Sequence, residues 1–205
     1  MFKTEQEAFW AGDFGNEYIN RNNSKQLLAS NLNFFSIALK NVGKISSCIE
    51  FGANVGMNLN AIQLLYPDMS MKGVEINQIA AKKLSELIGE DNVSNSSIFD
   101  FDTDQIKVDL SIIKGVLIHI NPDKLIDVYN KLYDVSNKYI LIAEYYNPSP
   151  VTIEYRGHKD KLFKRDFAGE MLELFPTLTL IDYGFSYRKD PKFPQDDITW
   201  FLLQK

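Results

Sequence analysis

The sequence predicts an α/β fold whose sheet is mostly parallel and ends in an antiparallel strand. Short apolar runs alternate with helical segments of about ten residues or more, which is the pattern of a parallel sheet flanked by helices. No helical segment separates the last two apolar runs, so we expect them to be antiparallel neighbours. A turn with two glycines follows the first strand, where α/β proteins bind ligands.

The first predicted element is a helix at residues 24–40, which Ser24 can cap. Pro67 stops the helix after the glycine turn, and Asn77 can cap the next one. The other helices are predicted at residues 54–65, 79–88, 122–133 and 166–175, and the strands at 45–51, 71–76, 92–98, 108–114, 139–144, 178–185 and 197–203. Residues 147–165 are predicted to be irregular.

The composition indicates one globular domain. The 205 residues include 45% hydrophobic and 24% charged residues, enough for a hydrophobic core and unlike a disordered or fibrous chain. We expect a single domain over residues 1–205, with a helical cap at 1–43, a Rossmann-like core at 44–205 and a substrate insertion at about 145–165. No pattern indicates an oligomeric state.

Charge and cysteine usage restrict the partners. The net charge of −5 argues against nucleic acid as a partner, and no apolar run is long enough to cross a membrane. The N-terminal residues carry acids and lack an apolar export signal. Cys48 is the single cysteine and lies in an apolar run, so we expect it to pack in the core of a cytoplasmic protein.

The turn at residues 50–57, EFGANVGM, lets the main chain approach a ligand, because its glycines add no side chain. Glu75 ends the second strand about 20 residues later, where a carboxylate can accept both hydroxyls of a ribose. Glu75 alone is equally consistent with a solvated acid at a strand end. Together with the turn, it favours a ligand that carries a ribose.

The turn departs from the patterns that bind phosphate groups. Asn54 and Met57 stand where a dinucleotide site has its second and third glycines, and no lysine follows Gly56. The order E-x-G-x-N-x-G resembles instead motif I of class I S-adenosylmethionine-dependent methyltransferases, and residues 114–125, KGVLIHINPDKL, resemble that family's fourth-strand segment. The resemblance implies a Rossmann-like class I methyltransferase fold with seven strands and helices on both faces, and S-adenosyl-L-methionine as cofactor.

The resemblance also implies which residues contact the cofactor. In that family an aspartate often stands where this chain has Ser97, and Asp100 is the nearby alternative. The implied contacts are Glu50, Gly52, Asn54 and Gly56 for the methionyl part, Glu75 for the ribose hydroxyls, Ser97 and Ile98 for the adenine, and the carbonyls of Lys114 and Gly115 for the ammonium group.

Three further segments are similar to a narrower family, the methyltransferases associated with pseudaminic acid biosynthesis. They are residues 9–22, FWAGDFGNEYINRN, residues 147–171, NPSPVTIEYRGHKDKLFKRDFAGEM, and residues 193–205, FPQDDITWFLLQK. The similarity implies a small anionic acceptor, a hydroxyl of a sugar or sugar nucleotide in surface glycan biosynthesis.

Basic residues crowd the segment after the fifth strand: Arg156, His158, Lys159, Lys161, Lys164 and Arg165. Such a segment can hold a carboxylate or phosphate of the substrate, or it can be a solvated loop paired with nearby acids, and both interpretations stay open. The predicted substrate-binding residues are Tyr145, Tyr146, Arg156, Lys164 and Arg165.

A hydroxyl acceptor benefits from a general base, and histidine suits that role near neutral pH. His119 follows the fourth strand and is the first candidate, although capping its own turn is an equally open role. Glu144, at the end of the fifth strand, and His158 are the other catalytic candidates. Histidine and cysteine are too few and too far apart to predict a metal site.

Trp10, Phe14 and Tyr18 recur at the spacing of one helix face. Such a stripe is either core or, because it precedes the first strand, a lid over the cofactor with Gly12 and Gly15 as flexible points. In the lid interpretation Trp10 and Tyr18 contact the cofactor.

Two other functions fit parts of the sequence. An NAD(P)-dependent reductase would use the strand–helix–strand unit and Glu75, but it does not explain Asn54 or the antiparallel end. A catalytically silent cofactor-binding partner in a glycosylation complex would use the same site without methyl transfer. A protein or nucleic-acid methyltransferase is less consistent, since the chain lacks an Asn/Asp-Pro-Pro-Phe/Tyr motif.

Overall fold

The computed structural model describes residues 2–19 and 24–205, apart from the side chain of Lys159. The strands are β1 (Ser47–Phe51), β2 (Ser70–Val74), β3 (Val93–Ser94), β4 (Val108–Lys114), β5 (Ser136–Glu144), β6 (Val151–Tyr155), β7 (His158–Lys164), β8 (Thr179–Ser186) and β9 (Ile198–Gln204). The helices are α1 (Glu5–Ala11), α2 (Asp13–Ile19), α3 (Lys25–Ala38), α4 (Met57–Leu65), α5 (Gln78–Ile88), α6 (Leu125–Val135) and α7 (Phe167–Leu174).

Seven strands form one sheet in the order β3-β2-β1-β4-β5-β9-β8. The pairs from β3 to β5 are parallel, whereas β9 runs antiparallel to both β5 and β8. The prediction that the last two strands are antiparallel neighbours is therefore confirmed. Strand order reverses between β1 and β4, and in such sheets the carboxyl ends of these strands border the ligand site.

Each central strand faces two hydrophobic layers, because alternate side chains of a strand point to opposite faces. Leu110 and Ile112 of β4 pack in the layer that holds Phe35 and Leu59, while Ile113 packs in the other layer, with Val128. A strand buried on both faces reads as a continuous apolar run, as β4 does. Helices therefore cover both faces of the sheet, as predicted.

Local signals set several helix ends. Ser24 accepts the N–H of Leu27 at the start of α3, and Asn77 accepts two N–H groups at the start of α5.

Cys48 is fully buried in the core, and burial raises the pKa of its thiol. Among the described helices, none is long and apolar enough to cross a membrane.

Two predictions about local structure are wrong. Residues 151–164, predicted to be irregular, form a two-stranded antiparallel hairpin of β6 and β7. Its turn is at Arg156 (φ 52°) and Gly157 (φ 83°), and consecutive positive φ angles suit a tight hairpin turn. The aromatic stripe does not lie on one helix, since the chain breaks at Gly12 into α1 and α2.

Candidate active site

A cavity of about 550 Å³ lies at the carboxyl edge of the sheet. Its floor comes from the ends of β1 to β4, and its cover from α1, α2 and the N-terminal half of α3. The residues from the sheet side include Gly52, Ala53, Asn54, Asn58, Glu75, Asn77, Ser97, Ile98, Phe99, Lys114, Gly115, Val116 and His119. The residues from the cover and the β8–β9 connection include Gln6, Glu7, Trp10, Tyr18, Ser30, Asn31, Arg188, Gln195 and Asp196.

The glycine turn approaches the cavity through Gly52 rather than Gly56. Gly52 has a φ of +73°, and a Cβ there would lie 2.4 Å from Val116 Cγ2. A Cβ on Gly56 would instead meet Leu84 and Leu87 of α5, each at 2.8 Å. Gly56 does not line the cavity and serves the close packing of α5.

Glu75 joins two turns at the tip of β2. Its Oε2 accepts the N–H of Asn54 and its Oε1 the N–H of Asn77, each at 2.7 Å. Burial raises the pKa of Glu75, and the two N–H groups act in the opposite direction. A carboxylate has about four acceptor sites, so each oxygen can still accept a ligand hydroxyl.

Glu50 lies behind the cavity wall and does not line it. Its Oε1 accepts the side-chain N–H of Asn58 at 2.6 Å, and its Oε2 has no partner among the described residues. Burial raises the pKa of Glu50 to about 8, although Asn58 and Lys114 oppose the shift. The structure thus brings Asn58, rather than Glu50, to the cavity surface.

Ser97 and Ile98 line the end of the cavity beside β3. Asp100 does not line the cavity, and its carboxylate forms an exposed ion pair with Lys3 at 2.6 Å. Lys114 and Gly115 line the cavity at the end of β4. The ammonium group of Lys114 lies 5.4 Å from the ring centroid of Phe34, and burial lowers the pKa of Lys114.

The N-terminal helices cover the cavity with Trp10 and Tyr18, whose rings meet edge to face at 5.3 Å. Asn77 ties this cover to the sheet, because its Nδ2 donates to the carbonyl of Trp10 at 3.3 Å and to Asn16 Oδ1 at 2.8 Å. A Cβ on Gly15 would lie 1.9 Å from the carbonyl oxygen of Trp10. Gly15 is therefore a close-packing position, which differs from the predicted flexible point.

His119 lines the cavity in the short turn Leu117–His119 after β4. Its Nδ1 lies 2.5 Å from the carbonyl oxygen of Lys161, and its ring contacts those of Trp10 at 4.7 Å and Tyr155 at 4.9 Å. Burial lowers the pKa of His119 to about 4, so the ring is neutral near pH 7. A neutral ring with Nδ1 protonated leaves Nε2 as a proton acceptor.

Glu144 does not line the cavity; it holds the turn that carries His119. Its Oε1 accepts the N–H groups of Val116 and Leu117, each at 2.9 Å. Its Oε2 has no partner in the described chain, and burial raises its pKa to about 7. The contacts of Glu144 are those of a positioning residue.

The predicted substrate-binding residues of the hairpin region do not line the cavity. Arg165 pairs with Glu170, Lys164 lies over the ring of Tyr145, and Arg156 over the ring of Tyr155. Burial and the nearby carboxylate of Asp196 raise the pKa of Tyr145, and Tyr146 is 40% exposed. His158 packs against Phe9 and Phe14 of the cover, and the side chain of Lys159 is outside the described part of the chain.

Several solved structures that this chain resembles are methyltransferases. The 1,6-didemethyltoxoflavin N1-methyltransferase of Burkholderia thailandensis, with bound 1,6-didemethyltoxoflavin and S-adenosylhomocysteine, aligns at a TM-score of 0.75 and 14% identity over 98% of this chain and 89% of that chain. The magnesium protoporphyrin IX methyltransferase of Synechocystis, with bound S-adenosylmethionine, aligns at 0.66 and 11% identity over 100% and 99%. The plantazolicin methyltransferase BpumL, with S-adenosylhomocysteine, aligns at 0.65 and 14% identity over 98% and 93%.

The fold is that of S-adenosylmethionine-dependent methyltransferases. The predicted fold class is therefore confirmed. No protein-family model matches the sequence, and the search of curated proteins gives no match.

Several residues of this methyltransferase fold line the cavity without a sequence signal. Gln195 donates from Nε2 to Asn31 Oδ1 at 2.7 Å, although 164 residues separate them in the chain. Asp196 and Arg188 reach the cavity from the same β8–β9 connection. In the sequence, this connection is indicated only by the similarity of residues 193–205 to the narrower family, which assigns no role to these side chains. Across residues 2–19 and 24–205, no group of three or more metal-ligating side chains could hold a metal ion.

Proposed function

We propose that this protein is an S-adenosylmethionine-dependent methyltransferase that acts on a small polar acceptor. The observation that carries the proposal is the position of Glu75, which lines the cavity while its carboxylate fixes the N–H of Asn54 at 2.7 Å. A carboxylate held beside the glycine turn suits two neighbouring hydroxyls of a ribose. It would repel a pyrophosphate placed at the same turn.

The other cavity residues fit an adenosyl sulfonium. Ile98 and Phe99 offer an apolar surface to a planar base at the β3 end. Gly52 admits close main-chain approach, because its φ of +73° suits glycine and a side chain would clash with Val116. In the cover, the aromatic ring of Trp10 can attract a cationic sulfonium.

When bound, S-adenosylmethionine supplies an activated methyl group. The chain's own residues align the acceptor, limit the access of water and remove a proton. α1 and α2 cover the cavity. His119 is the residue we assign as general base, because its neutral ring lines the cavity with Nε2 able to accept the proton of an acceptor hydroxyl.

The acceptor that we propose is a hydroxyl of an acidic sugar or sugar nucleotide in surface glycan biosynthesis, such as that of pseudaminic acid. The three sequence segments noted above support this, as do the side chains that line the cavity near β4 and β9. Lys114 and Arg188 can attract an anion there, and Asn31 and Gln195 can bind hydroxyls. The names of the solved neighbours refer to a toxoflavin precursor, a porphyrin and plantazolicin, so the fold leaves the acceptor open.

Calorimetric titration with S-adenosylhomocysteine tests the cofactor, with NADH and NADPH as the comparison. Binding of S-adenosylhomocysteine alone supports the methyltransferase, whereas binding of a nicotinamide nucleotide alone supports a reductase. Mass spectrometry of glycans from cells with and without the gene then tests the acceptor, through the loss of a methyl group. Complementation with His119→Ala separates catalysis from a silent binding role, since methylation persists only in the silent case.

A further inference from the structure

Two buried oxygen atoms of α1 lack a hydrogen-bond donor. Gln6 is 7% exposed and Glu7 6% exposed, both line the cavity, and Oε1 of each has no partner among the described residues. The other end of each side chain is fixed. Gln6 Nε2 donates to the carbonyl of Asp160 at 3.0 Å, and Glu7 Oε2 accepts the N–H of Lys3 at 2.6 Å. A buried acceptor without a donor is costly, so a ligand donor would stabilise both.

Glu7 lies near the end of the cavity beside β3, and Gln6 directly precedes it in α1. Lys3, whose N–H binds Glu7, pairs through its ammonium group with Asp100 at 2.6 Å. Asp100 directly follows Ile98 and Phe99, which line the cavity as Glu7 does. Glu7 is therefore anchored next to the apolar residues that suit a planar ring.

We infer that Gln6 and Glu7 recognise the exocyclic amino group of the nucleoside base in the bound cofactor. An amino group on a purine carries two N–H donors in the plane of the ring, which matches two acceptors at the edge of an apolar slot. A base with a carbonyl oxygen at that position would place the two lone pairs of that oxygen against the Oε1 atoms of Gln6 and Glu7. No hydrogen bond could form, because all of these groups are acceptors. The inference rests on the proposed function and assigns base specificity to α1, outside the sheet.

The same carboxylate also orders α1. Glu7 is the third residue of the helix and forms a capping box with Thr4, in which Thr4 Oγ1 accepts the N–H of Glu7 and Glu7 Oε2 accepts the N–H of Thr4. Glu7 Oε2 is thus committed to the helix, while Oε1 is left for the ligand. Glu7 therefore has two roles: Oε1 binds the base, and Oε2 stabilises the helix that covers the cavity.

The test compares two ligands that differ only in the amino group: S-adenosylhomocysteine and its purine riboside analogue with hydrogen at position 6. Calorimetry should give the wild-type protein a preference for S-adenosylhomocysteine of about 10- to 100-fold. Glu7→Met and Gln6→Met should each reduce that ratio several-fold. Glu7→Gln keeps one oxygen for the capping box but presents its amide N–H groups to the ligand, so it should lower the ratio as Glu7→Met does while α1 stays ordered.

Two controls separate recognition from folding. Thr4→Val breaks the capping box but keeps Glu7, so both affinities should fall while their ratio stays. Glu17→Gln removes an exposed acid of α2 and should change neither affinity. Equal binding of the two ligands by the wild-type protein overturns the inference, as does a ratio that Thr4→Val abolishes as fully as Glu7→Met. Failure of both ligands to bind would instead overturn the proposed function.

Discussion

Nδ1 of His119 lies 2.5 Å from the main-chain carbonyl oxygen of Lys161. A carbonyl oxygen only accepts hydrogen bonds, so Nδ1 carries the proton and Nε2 has the free lone pair. The contact also joins the turn after β4 to the hairpin strand β7, 42 residues further along the chain. The hairpin therefore contributes to the site by orienting His119, rather than through its basic side chains.

We predict that His119 is a neutral Nδ1–H tautomer at neutral pH and stays neutral until the pH approaches about 4, because burial lowers its pKa to about 4. Long-range ¹H–¹⁵N spectra of the imidazole rings measure both the tautomer and the titration. The His158→Gln variant assigns the signals, since these are the two histidines of the chain. A protonated Nε2, or titration of His119 near 6.5, would contradict the prediction.

Glu75→Ala should weaken the binding of S-adenosylhomocysteine by about 1–3 kcal/mol, because the carboxylate both accepts ligand hydroxyls and holds the N–H groups of Asn54 and Asn77. Calorimetry at constant pH measures the change. Asp68→Asn is the matched control, since Asp68 is an exposed acid outside the cavity. Unchanged affinity in Glu75→Ala would remove the observation on which the proposed function rests.

The parts of the site that are local in sequence could be predicted. Glu75 and Asn54 bond to each other across 21 residues, within one strand–helix–strand unit whose geometry is common to α/β sheets. Ser97 and Ile98, which the family resemblance implies as adenine contacts, also line the cavity.

The parts that depend on long-range packing could not be predicted. Gln6 meets Asp160 across 154 residues, and no local pattern encodes that contact. The basic segment illustrates a second reason, because residue type gives the charge of a side chain but not the direction in which it points. Arg165 was a candidate for binding an anion, yet its guanidinium pairs with Glu170 five residues later. The hairpin was missed although Val151–Tyr155 alternates apolar and polar residues as a strand does, because the neighbouring Pro148, Pro150 and Gly157 indicate an irregular segment.

Glu144 should stabilise the turn after β4 as a hydrogen-bond acceptor. Glu144→Ala leaves the N–H groups of Val116 and Leu117 buried without their acceptor, which should lower the free energy of unfolding by about 3 kcal/mol. Glu144→Gln keeps an oxygen acceptor at the same place and should retain most of the stability. Urea unfolding at pH 6 measures both variants. Equal destabilisation by Ala and Gln would contradict the role of Glu144 as a hydrogen-bond acceptor for this turn.

Glu50 should make stability depend on pH. Burial raises its pKa from 4.5 to about 8 in the folded protein. Between these values the unfolded chain has lost the proton and the folded chain retains it. The free energy of unfolding should therefore fall as the pH rises through this window, by about 1.4 kcal/mol per pH unit for this group alone.

Glu50→Gln cannot ionise, so its stability relative to the wild-type protein should increase as the pH rises from 5 to about 8. Urea unfolding of both proteins at several pH values gives the difference, in which the other titrating groups cancel. Glu86→Gln, at an exposed acid of α5, is the matched control. A constant difference for Glu50→Gln would mean that Glu50 is ionised in the fold, with Lys114 and Asn58 compensating for its burial.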